Sequence, residues 1–525
     1  MYLISKKTPQ KYNKICIYAR IFVFLQKFLK PMRNKLFIFC ALALFFVACN
    51  ENAPEPGGGG GTEPQPGFEY KYNAATYTLT FSGPNVPMPN GTWDKKPEWS
   101  KYKDITYTVI IEDGITTIGD YAFEYFSELD DVQIANSVKR IGSDAFSHCE
   151  KLLKIKLPDN LEVIEDHAFV EDNHLQAPTF PESLDSLGFG SFFNCYTFDK
   201  VDLSNTQVKK IPAKCFRACS GIETVLLPPT VIAIHDEAFY GCSKLKQVKV
   251  KGYESEDFGL NHLDLTVIGD EAFYLCQKLK NVYLPATLQR LGKRAFANCY
   301  ELYSVKFYEG NDLTEVGDST FFSCSALRVL QYNKQCRIIS PYMFYKCPEL
   351  RMLEDLNHVR SIGAHAFEGC TNMVEFPWPT GLETIGASAF AACKELGSIY
   401  LYSNVETVGE NAFGSCTGVV KLEIRSYYLK RIERSTFYQV NSITEVSLPS
   451  QIEYIGEQAF AYCSDLKTII CRSTTPPTLA DKNSVFYTGV AGQEVWVPKT
   501  DLSAYQNNTY WSAYFKGKFV GKDGL

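Results

Sequence analysis

The sequence predicts a repeat solenoid of tandem α/β units, with a parallel sheet on one face, turns and short helices on the other, and a cap at each end. The chain has 525 residues, of which 45% are hydrophobic. A single globular core stops growing well below that length, so the chain is either multidomain or a repeat array. A phenylalanine that recurs at a nearly constant interval from residue 123 to residue 460 favours the array.

This phenylalanine marks the period, and we call it the anchor of each repeat. Of the fourteen spacings between anchors, ten are 23 residues, two are 24, one is 25 and one is 34. Such a period is typical of stacked units that bury their faces only against their neighbours. We therefore expect fifteen repeats of about 23 residues over residues 105–470. The anchors are Phe123, Phe146, Phe169, Phe192, Phe216, Phe239, Phe273, Phe296, Phe321, Phe344, Phe367, Phe390, Phe413, Phe437 and Phe460.

The other positions of the repeat also have physical interpretations. A small residue precedes fourteen of the fifteen anchors, which suits a short helical turn pressed against the layer beneath it. The segment eight to eleven residues after each anchor tends to alternate between polar and apolar residues, as in Val282-Tyr283-Leu284. This alternation predicts a short strand with its apolar residues facing inward. Ten repeats have glycine four residues before the anchor, but Pro212 occupies this position once. Because proline holds φ negative, close packing explains this glycine better than a left-handed backbone does.

The N-terminus is interpreted as an export signal. Residues 1–48 contain nine basic residues and no acidic one. The short cationic stretch after Met32, which is the expected true start, precedes an apolar run too short to span a bilayer. Phe46-Val47-Ala48-Cys49 resembles a bacterial lipobox, with Phe46 where leucine is commonest, and this predicts lipidation of Cys49. A plain cleaved signal or an uncleaved anchor is the alternative. Residues 49–67, with five consecutive glycines, are expected to form a flexible tether.

The pattern I-G-x-x-A-F-x-x-C-x-x-L-x-x-V-x-L-P resembles the bacterial BspA-type leucine-rich repeat over roughly residues 105–470. The flanks are similar to that family as well, which implies an N-terminal cap at residues 68–104 and a C-terminal cap at residues 471–525. The similar flanking residues are the stretch from Trp99 to Phe123 and, near the end, Val495 to Pro498, Tyr505, Trp511 and Phe515. The resemblance implies a surface-exposed bacterial protein, since several family members are implicated in adhesion to host proteins or other cells. It supplies no ligand.

The eighteen cysteines follow the repeat. Twelve lie three residues after an anchor, and Cys215, Cys336 and Cys471 replace other small or inward apolar residues. Free cysteine behaves as a small hydrophobe, so we expect a ladder of buried thiols. A metal site would require clustered ligands such as C-x-x-C, which the sequence lacks. Rungs about 5 Å apart are within reach of a disulfide, but ladder side chains point the same way, so we expect few or none.

No catalytic pattern accompanies these cysteines. The seven histidines are scattered, and there is no nucleophile elbow, phosphate loop or dinucleotide fingerprint. We therefore expect no enzymatic activity, no cofactor and no metal. The formal net charge is −6, and beyond residue 48 there are 44 basic against 59 acidic residues. A chain this acidic is a poor candidate for binding nucleic acid.

The outward strand positions, eight and ten residues after each anchor, are the natural binding face of such a fold. They change from mainly lysine to mainly glutamate along the array, which predicts a dipolar face, although a merely solvated face is the alternative. The candidate binding residues on it are Lys154, Lys156, Lys200, Lys249, Tyr283, Lys306, Glu354, Glu375, Tyr400, Glu423 and Glu445.

A second candidate site is the insertion at residues 252–264, which stretches one anchor spacing to 34. Insertions in repeats map to loops on one face and are often functional. Tyr253 and Phe258 stand beside Glu254, Glu256 and Asp257, and they either contact a partner or form a tolerated bulge.

These observations predict a non-enzymatic protein, lipid-anchored at the bacterial outer membrane, that binds a protein ligand on the host or on another bacterium. The alternative is a glycan-binding lipoprotein for nutrient capture, with Tyr283, Tyr400, Trp378 and Trp496 as exposed platforms. A carbohydrate site requires two or three coplanar aromatic side chains on one exposed patch, whereas a protein site can be mixed. A hydrolase would require a convergent acid pair or triad in a concave pocket.

Overall fold

Successive repeats stack as rungs, and the ring of each anchor phenylalanine lies on the ring of the next. The computed structural model describes residues 66–253, 259–308, 313, 316–480, 485–486, 492–515 and 517–525. Ring centroids of consecutive anchors are 5.1–5.8 Å apart, and every anchor is fully buried. The stack continues to Phe486, 5.7 Å from Phe460. The predicted fold class is confirmed as a leucine-rich-repeat solenoid of about 17 turns with parallel sheets and little helix.

The alternating stretch after twelve of the fifteen anchors forms a strand, and five further strands lie at the two ends of the array. Together they make up the long-strand series, whose outward side we call the strand face. All its pairs are parallel except β1 with β2. The strands are β1 (Glu69–Asn73), β2 (Thr78–Ser82), β4 (Thr108–Ile111), β6 (Asp131–Ile134), β10 (Lys200–Asp202), β12 (Thr224–Leu227), β14 (Gln247–Val250), β16 (Asn281–Leu284), β18 (Ser304–Phe307), β19 (Val329–Gln331), β21 (Met352–Glu354), β24 (Ser398–Leu401), β26 (Lys421–Ile424), β28 (Glu445–Leu448), β30 (Thr468–Cys471), β32 (Glu494–Pro498) and β33 (Lys518–Lys522).

In a second, short-strand series, fourteen strands each end on the aliphatic residue five positions before an anchor, and one further strand lies at each end of the array. This series consists of β3 (Val86–Pro87), β5 (Ile115–Ile118), β7 (Arg140–Ile141), β8 (Val163–Ile164), β9 (Ser186–Leu187), β11 (Lys210–Ile211), β13 (Ala233–Ile234), β15 (Val267–Ile268), β17 (Arg290–Leu291), β20 (Ile338–Ile339), β22 (Ser361–Ile362), β23 (Thr384–Ile385), β25 (Thr407–Val408), β27 (Arg431–Ile432), β29 (Tyr454–Ile455) and β31 (Thr478–Leu479).

The strand face is interrupted, so the predicted parallel sheet on one face is divided into several sheets. The long-strand series divides into five sheets: β1-β2-β4-β6, β10-β12-β14, β16-β18-β19-β21, β24-β26 and β28-β30-β32-β33. Two of the breaks coincide with prolines in the strand position, Pro178 before β10 and Pro377 before β24. Proline has no N–H to donate to the ladder, which accounts for both. A third break, between β14 and β16, contains the insertion.

The other side of each repeat consists of turns, and the short helices expected there are absent from the described repeats. At all fifteen anchors, the residues two before and two after have positive φ; at Phe123 these are Tyr121 and Tyr125. A left-handed residue ends an α-helix, so no more than three consecutive residues remain between these breaks. The freed N–H groups donate to the next repeat instead. Tyr121 N, Phe123 N and Tyr125 N donate to carbonyls of residues 143, 145 and 147 at 2.7–2.9 Å.

The glycine four residues before the anchor meets a close approach between rungs. A Cβ at Gly386 would lie 2.4 Å from Ala364 N, and one at Gly409 would lie 2.4 Å from Ala387 N. None of these ten glycines has positive φ. The interpretation of this position as one of close packing is confirmed.

Aromatic side chains close both ends of the stack. At the N-terminal end, Trp99 in the 3-10 helix Glu98–Tyr102 is buried and its Nε1 donates to Ala122 O at 2.7 Å. At the C-terminal end, α1 (Leu502–Gln506) and α2 (Thr509–Tyr514) follow the 3-10 helix Lys499–Asp501. Trp511 is fully buried and donates to Pro477 O at 2.8 Å. Two further 3-10 helices lie at Gly259–His262 and Leu356–His358.

The left-handed turn residues predict a measurable asymmetry between two adjacent alanines. Ala392 lies two residues after Phe390 with φ of 58°, whereas Ala391 does not have positive φ and is buried. Ala392→Gly should raise the free energy of unfolding by about 0.5–1 kcal/mol, because glycine relieves the left-handed strain. Ala391→Gly, the matched control, should lower it by about 1 kcal/mol. Urea unfolding of both variants tests this; equal losses would contradict the turn geometry.

Candidate functional site

The strand face contains a concavity over β10, β12 and β14. Its volume is about 620 Å³, and it is open to solvent. The half-buried Leu226 supplies its apolar surface, and charged side chains of both signs surround that residue. The lining residues are Asp199, Lys200, Glu223, Thr224, Leu226, Gln247 and Lys249. Two of the sequence-predicted binding residues, Lys200 and Lys249, therefore line one depression from strands on either side of β12.

The charges around this concavity are partly paired with each other. Lys200 Nζ lies 2.9 Å from Asp202 Oδ2, and Lys246 Nζ lies 2.8 Å from Glu223 Oε2. The Lys246 hydrogen bond lowers the pKa of Glu223, which keeps this carboxylate ionised. Exposed ion pairs of this kind contribute little to stability, so both partners can exchange for charges on a ligand.

The insertion lies directly beside the concavity. Its 3-10 helix Gly259–His262 fills the gap between β14 and β16 with Leu260 buried, so the insertion is partly core rather than an external loop. Tyr253 is 48% exposed, and its ring stacks on His262 with centroids 3.9 Å apart. Phe258 and the acidic residues 254, 256 and 257 lie outside the described residues.

The neighbouring sheet contributes a second small group of predicted residues. Tyr283 on β16 pairs in register with Lys306 on β18. Lys306 Nζ lies 5.3 Å from the ring centroid of Tyr308, whose edge faces Tyr283 at 6.5 Å. Tyr253, Tyr283 and Lys306 thus extend the concavity along the strand face, on both sides of the break between β14 and β16.

The remaining predicted residues do not converge on this region. Lys154 and Lys156 are exposed but lie in a repeat without a long strand, between β6 and β10. Glu354, Glu375 and Glu445 are exposed and lie in three different repeats of the second half. Their contribution to a dipolar face stays a prediction.

In the second half of the array, cationic side chains already contact the predicted residues Tyr400 and Glu423. They pair in register on β24 and β26, and Tyr400 has Lys421 Nζ 5.2 Å from its ring centroid. Glu423 lies 2.7 Å from Lys421 and 2.5 Å from Arg425. The Lys421 hydrogen bond lowers the pKa of Glu423. Cations on both sides therefore reduce the acidic character that the sequence suggests here.

The aromatic residues predicted as glycan platforms differ in their exposure to solvent. Trp378 is 8% exposed, packs among Phe376, Phe390 and Phe413 and donates from Nε1 to Ser398 O, so its interpretation as a surface platform is wrong. It falls eleven residues after its anchor, which is an inward position. Trp496 remains half-buried with Lys522 Nζ 4.1 Å from its ring.

Sequence reasoning missed the most exposed aromatic side chains. Trp93, before the first repeat, is 78% exposed, and Tyr427 and Tyr428 are 71% and 59% exposed. The two tyrosines belong to a repeat of 24 residues, and that additional residue was the available signal. Trp93 has no comparable signal, because it lies outside the periodic region.

A cluster of titratable groups joins the N-terminal cap to the first repeats. Lys96 forms an ion pair with Glu124 and lies 3.9 Å from the ring centroid of Tyr121. Burial and the nearby Glu124 raise the pKa of Asp144 to about 7, and burial raises the pKa of Tyr121 to about 12. Shifted pKa values also arise in structural ion-pair networks, and this cluster ties the cap to the array.

The cysteine ladder is a hydrogen-bonding element of the core. Each of the twelve ladder thiols donates to the carbonyl oxygen of the anchor in the preceding repeat, with Sγ–O distances of 3.0–3.3 Å. All fifteen described cysteines are free and buried, as expected. Within the described residues, no three His, Cys, Asp or Glu side chains come together as a metal site requires.

Periodic rungs, a parallel strand face and an opposite turn side define a leucine-rich-repeat protein. The chain belongs to the BspA type leucine rich repeat region family, whose model matches residues 101–206, 141–256, 252–374 and 360–482. Leucine-rich-repeat proteins are typically non-enzymatic binding proteins. No helix in the described part of the chain has the length and apolar content to cross a membrane.

Several solved structures are similar to this chain. A leucine-rich repeat protein from Bacteroides ovatus is 21% identical, with 77% of this chain and 93% of that chain covered and a TM-score of 0.47. A leucine-rich repeat protein from Eubacterium ventriosum is 19% identical, with 75% and 92% covered and a TM-score of 0.41. A leucine rich cell surface protein from Faecalibacterium prausnitzii is 18% identical, with 88% and 95% covered and a TM-score of 0.32. The comparison with curated protein sequences yields no match.

The ladder predicts thiols that react only after unfolding. Burial raises the pKa of Cys347 and Cys463 to about 12, so both stay protonated at pH 8, and protonated thiols are poor nucleophiles. Titration of the native protein with a thiol reagent at pH 8 should label almost none of the fifteen cysteines after Cys49, and titration in denaturant should label nearly all. Four or more disulfides in the native protein would contradict the thiol ladder.

Proposed function

We propose that this chain is a non-enzymatic surface protein that binds a protein ligand on the strand face around β10 to β18. One observation carries the proposal. The concavity lined by Lys200, Lys249 and Leu226 lies beside the insertion that exposes Tyr253. A depression with an apolar centre, a charged rim and an adjacent exposed tyrosine has the composition of a protein-recognition surface.

Mixed charge favours a protein ligand over other polymers. Lysines and carboxylates alternate around the concavity, so an extended polypeptide with charges of both signs complements it. A polyanion such as nucleic acid would meet Asp199, Asp202 and Glu223 as well as the lysines. No cofactor is needed for such a role.

Adhesion is the biological role we infer from this surface, and glycan capture is the second candidate. The observation that favours glycan is the pair Tyr400 and Tyr402, whose rings are 10° from parallel with centroids 6.1 Å apart. Both rings are partly buried against the core, which leaves less surface for a sugar ring to stack on.

We further propose that the protein is exported and lipid-anchored at Cys49 to the outer membrane. The sequence around Cys49 supports this, and the glycine-rich residues 49–67 would hold the repeat array away from the bilayer. Cys49 and the signal peptide lie outside the described residues.

Charge reversal on the concavity tests the binding proposal. A ligand is first selected on an array of extracellular-matrix proteins and glycans with the Cys49→Ala chain. Lys200→Glu with Lys249→Glu should slow association with that ligand by about tenfold at low salt, and the effect should shrink as salt is added. Lys154→Glu with Lys156→Glu is the matched control, because it makes the same charge change outside the concavity. Surface plasmon resonance gives the rates.

The Tyr253→Ala variant distinguishes binding at the concavity from binding at the insertion. We expect it to speed dissociation while leaving association nearly unchanged, as for a central aromatic contact. If Tyr253→Ala abolishes binding and the lysine reversals leave it intact, the insertion is the site. Selection of glycans alone from the array would favour the second candidate function.

Cys49→Ala should move the protein from the membrane fraction to the soluble fraction, because the lipid is the proposed anchor. We assume several acyl chains, since a single chain anchors only marginally. Mass spectrometry of the N-terminal peptide is the direct measurement. A mature N-terminus at another residue, without lipid on Cys49, would refute the anchor.

A further inference from the structure

One rung of the cysteine ladder has an acid in place of the thiol. In the twelve rungs with cysteine, the ladder thiol donates to the anchor carbonyl of the preceding rung. Phe216 O, for example, accepts from the Cys242 thiol at 3.2 Å and from the backbone N–H of Cys219 at 3.2 Å. The anchor carbonyl is therefore bound by two donors in such a rung. The thiol supplies one of them.

Asp172 occupies the ladder position after Phe169 and is fully buried. Its Oδ1 accepts from Cys149 N at 2.7 Å, so this N–H does not donate to Phe146 O as its counterparts such as Cys219 N donate to their own anchor carbonyl. Its Oδ2 is buried without a hydrogen-bond partner in the described structure. On the preceding rung, Phe146 O is the carbonyl that a ladder donor would reach, and no donor among the described residues binds it. One acceptor and one carboxyl oxygen thus remain unmatched on adjacent rungs.

We propose that Asp172 is a neutral carboxylic acid whose Oδ2–H donates to Phe146 O, and that its ionisation loosens this part of the solenoid as pH rises. A protonated carboxyl has one acceptor oxygen and one donor, so Oδ1 keeps its bond from Cys149 N while Oδ2–H donates as a ladder thiol does. A carboxylate has only acceptors, and its Oδ2 would face a carbonyl oxygen.

The surroundings of Asp172 also favour the neutral form. Asp172 interacts with the thiols of Cys149 on the preceding rung and Cys195 on the next rung. Glu124 in turn interacts with Cys149, and Glu171, in the same turn as Asp172, interacts with Cys195. None of these groups carries a positive charge. His174 is farther out, with its Nδ1 2.7 Å from Glu150 O in an exposed contact. A buried carboxylate without a cation is strongly unfavourable.

The position of Asp172 in the array increases the effect of losing its ladder hydrogen bond. Asp172 lies between Lys154–Leu157 and Ala177–Phe180, two stretches that form no long strand, at the break between β6 and β10. Here the short strands β7, β8 and β9, the turn bonds and the anchor stack hold the rungs together. Loss of a ladder bond costs most where other bonds between rungs are fewest.

The pH dependence follows from the direction of the shift. Burial raises the pKa of Asp172 well above its usual range, and only the Cys149 N–H opposes this. The stabilisation by the neutral acid is complete below the unfolded pKa of about 3.9 and is lost as pH rises through the folded pKa. Between the two values, the unfolding equilibrium constant rises by about tenfold per pH unit through this group.

Asp172→Asn is the decisive variant, because its amide accepts at Oδ1 and donates from Nδ2 at every pH. The ratio of the unfolding constants of the wild type and of Asp172→Asn should rise by about tenfold per unit between pH 5 and 7. Asp172→Cys restores the ladder thiol and should behave like the amide variant. Asp185→Asn, an exposed acid of the next repeat, is the matched control and should keep the wild-type dependence. Asp144 titrates in all four proteins and cancels in the ratio.

Infrared spectroscopy of the folded chain gives the protonation state independently of stability. At pH 7, the carboxylic-acid carbonyl band should be stronger in the wild type than in Asp172→Asn, or than in Asp172→Cys if the amide variant does not fold. A flat stability ratio would overturn the pH-dependent loosening. Absence of the band difference would overturn the neutral acid, and both results together would leave Asp172 an ionised buried residue.

Discussion

Each repeat of this solenoid completes its backbone hydrogen bonding on its neighbours, and the rest of the structure depends on that requirement. The two strand series are laddered between rungs, and so are the turns, because left-handed residues on both sides of each anchor direct N–H groups to the next rung. The anchor rings stack at 5.1–5.8 Å, close to the spacing of adjacent strands. An isolated repeat could satisfy neither its backbone nor its core, so the fold exists only as an array.

This constraint gives each inward position a defined chemical task. A cysteine three residues after the anchor donates its thiol to the anchor carbonyl of the preceding rung, which valine or alanine cannot do. Val440 fills the position without a donor, whereas Asp172 can fill it fully only by keeping its proton. The ladder is thus a series of hydrogen bonds between rungs, donated by buried thiols.

The ladder of long strands is interrupted on the strand face, and the proposed binding surface lies beside these interruptions. Pro178 and Pro377 remove ladder donors, and the insertion separates β14 from β16 while the anchors beneath it remain 5.3 Å apart. The core therefore tolerates variation on this face without losing its stack. Interruptions also vary the outline of the surface, which gives a concavity over β10 to β14 a shape distinct from that of neighbouring repeats.

The period, the anchors, the inward alternation and the buried thiols could be predicted from the sequence alone, because each recurs in most or all of the fifteen repeats and a repeated pattern indicates a repeated contact. Single events could not be predicted in that way. Trp378 looked exposed because tryptophan is often a surface platform, yet its position eleven residues after Phe367 turns it inward. The left-handed turns replaced the expected helices because the bonds between rungs outweigh local helical preference, which is a tertiary effect. Only the tertiary structure decided that Lys200 and Lys249 line one depression and that Asp172 Oδ1 accepts from Cys149 N, because each depends on side chains from different rungs.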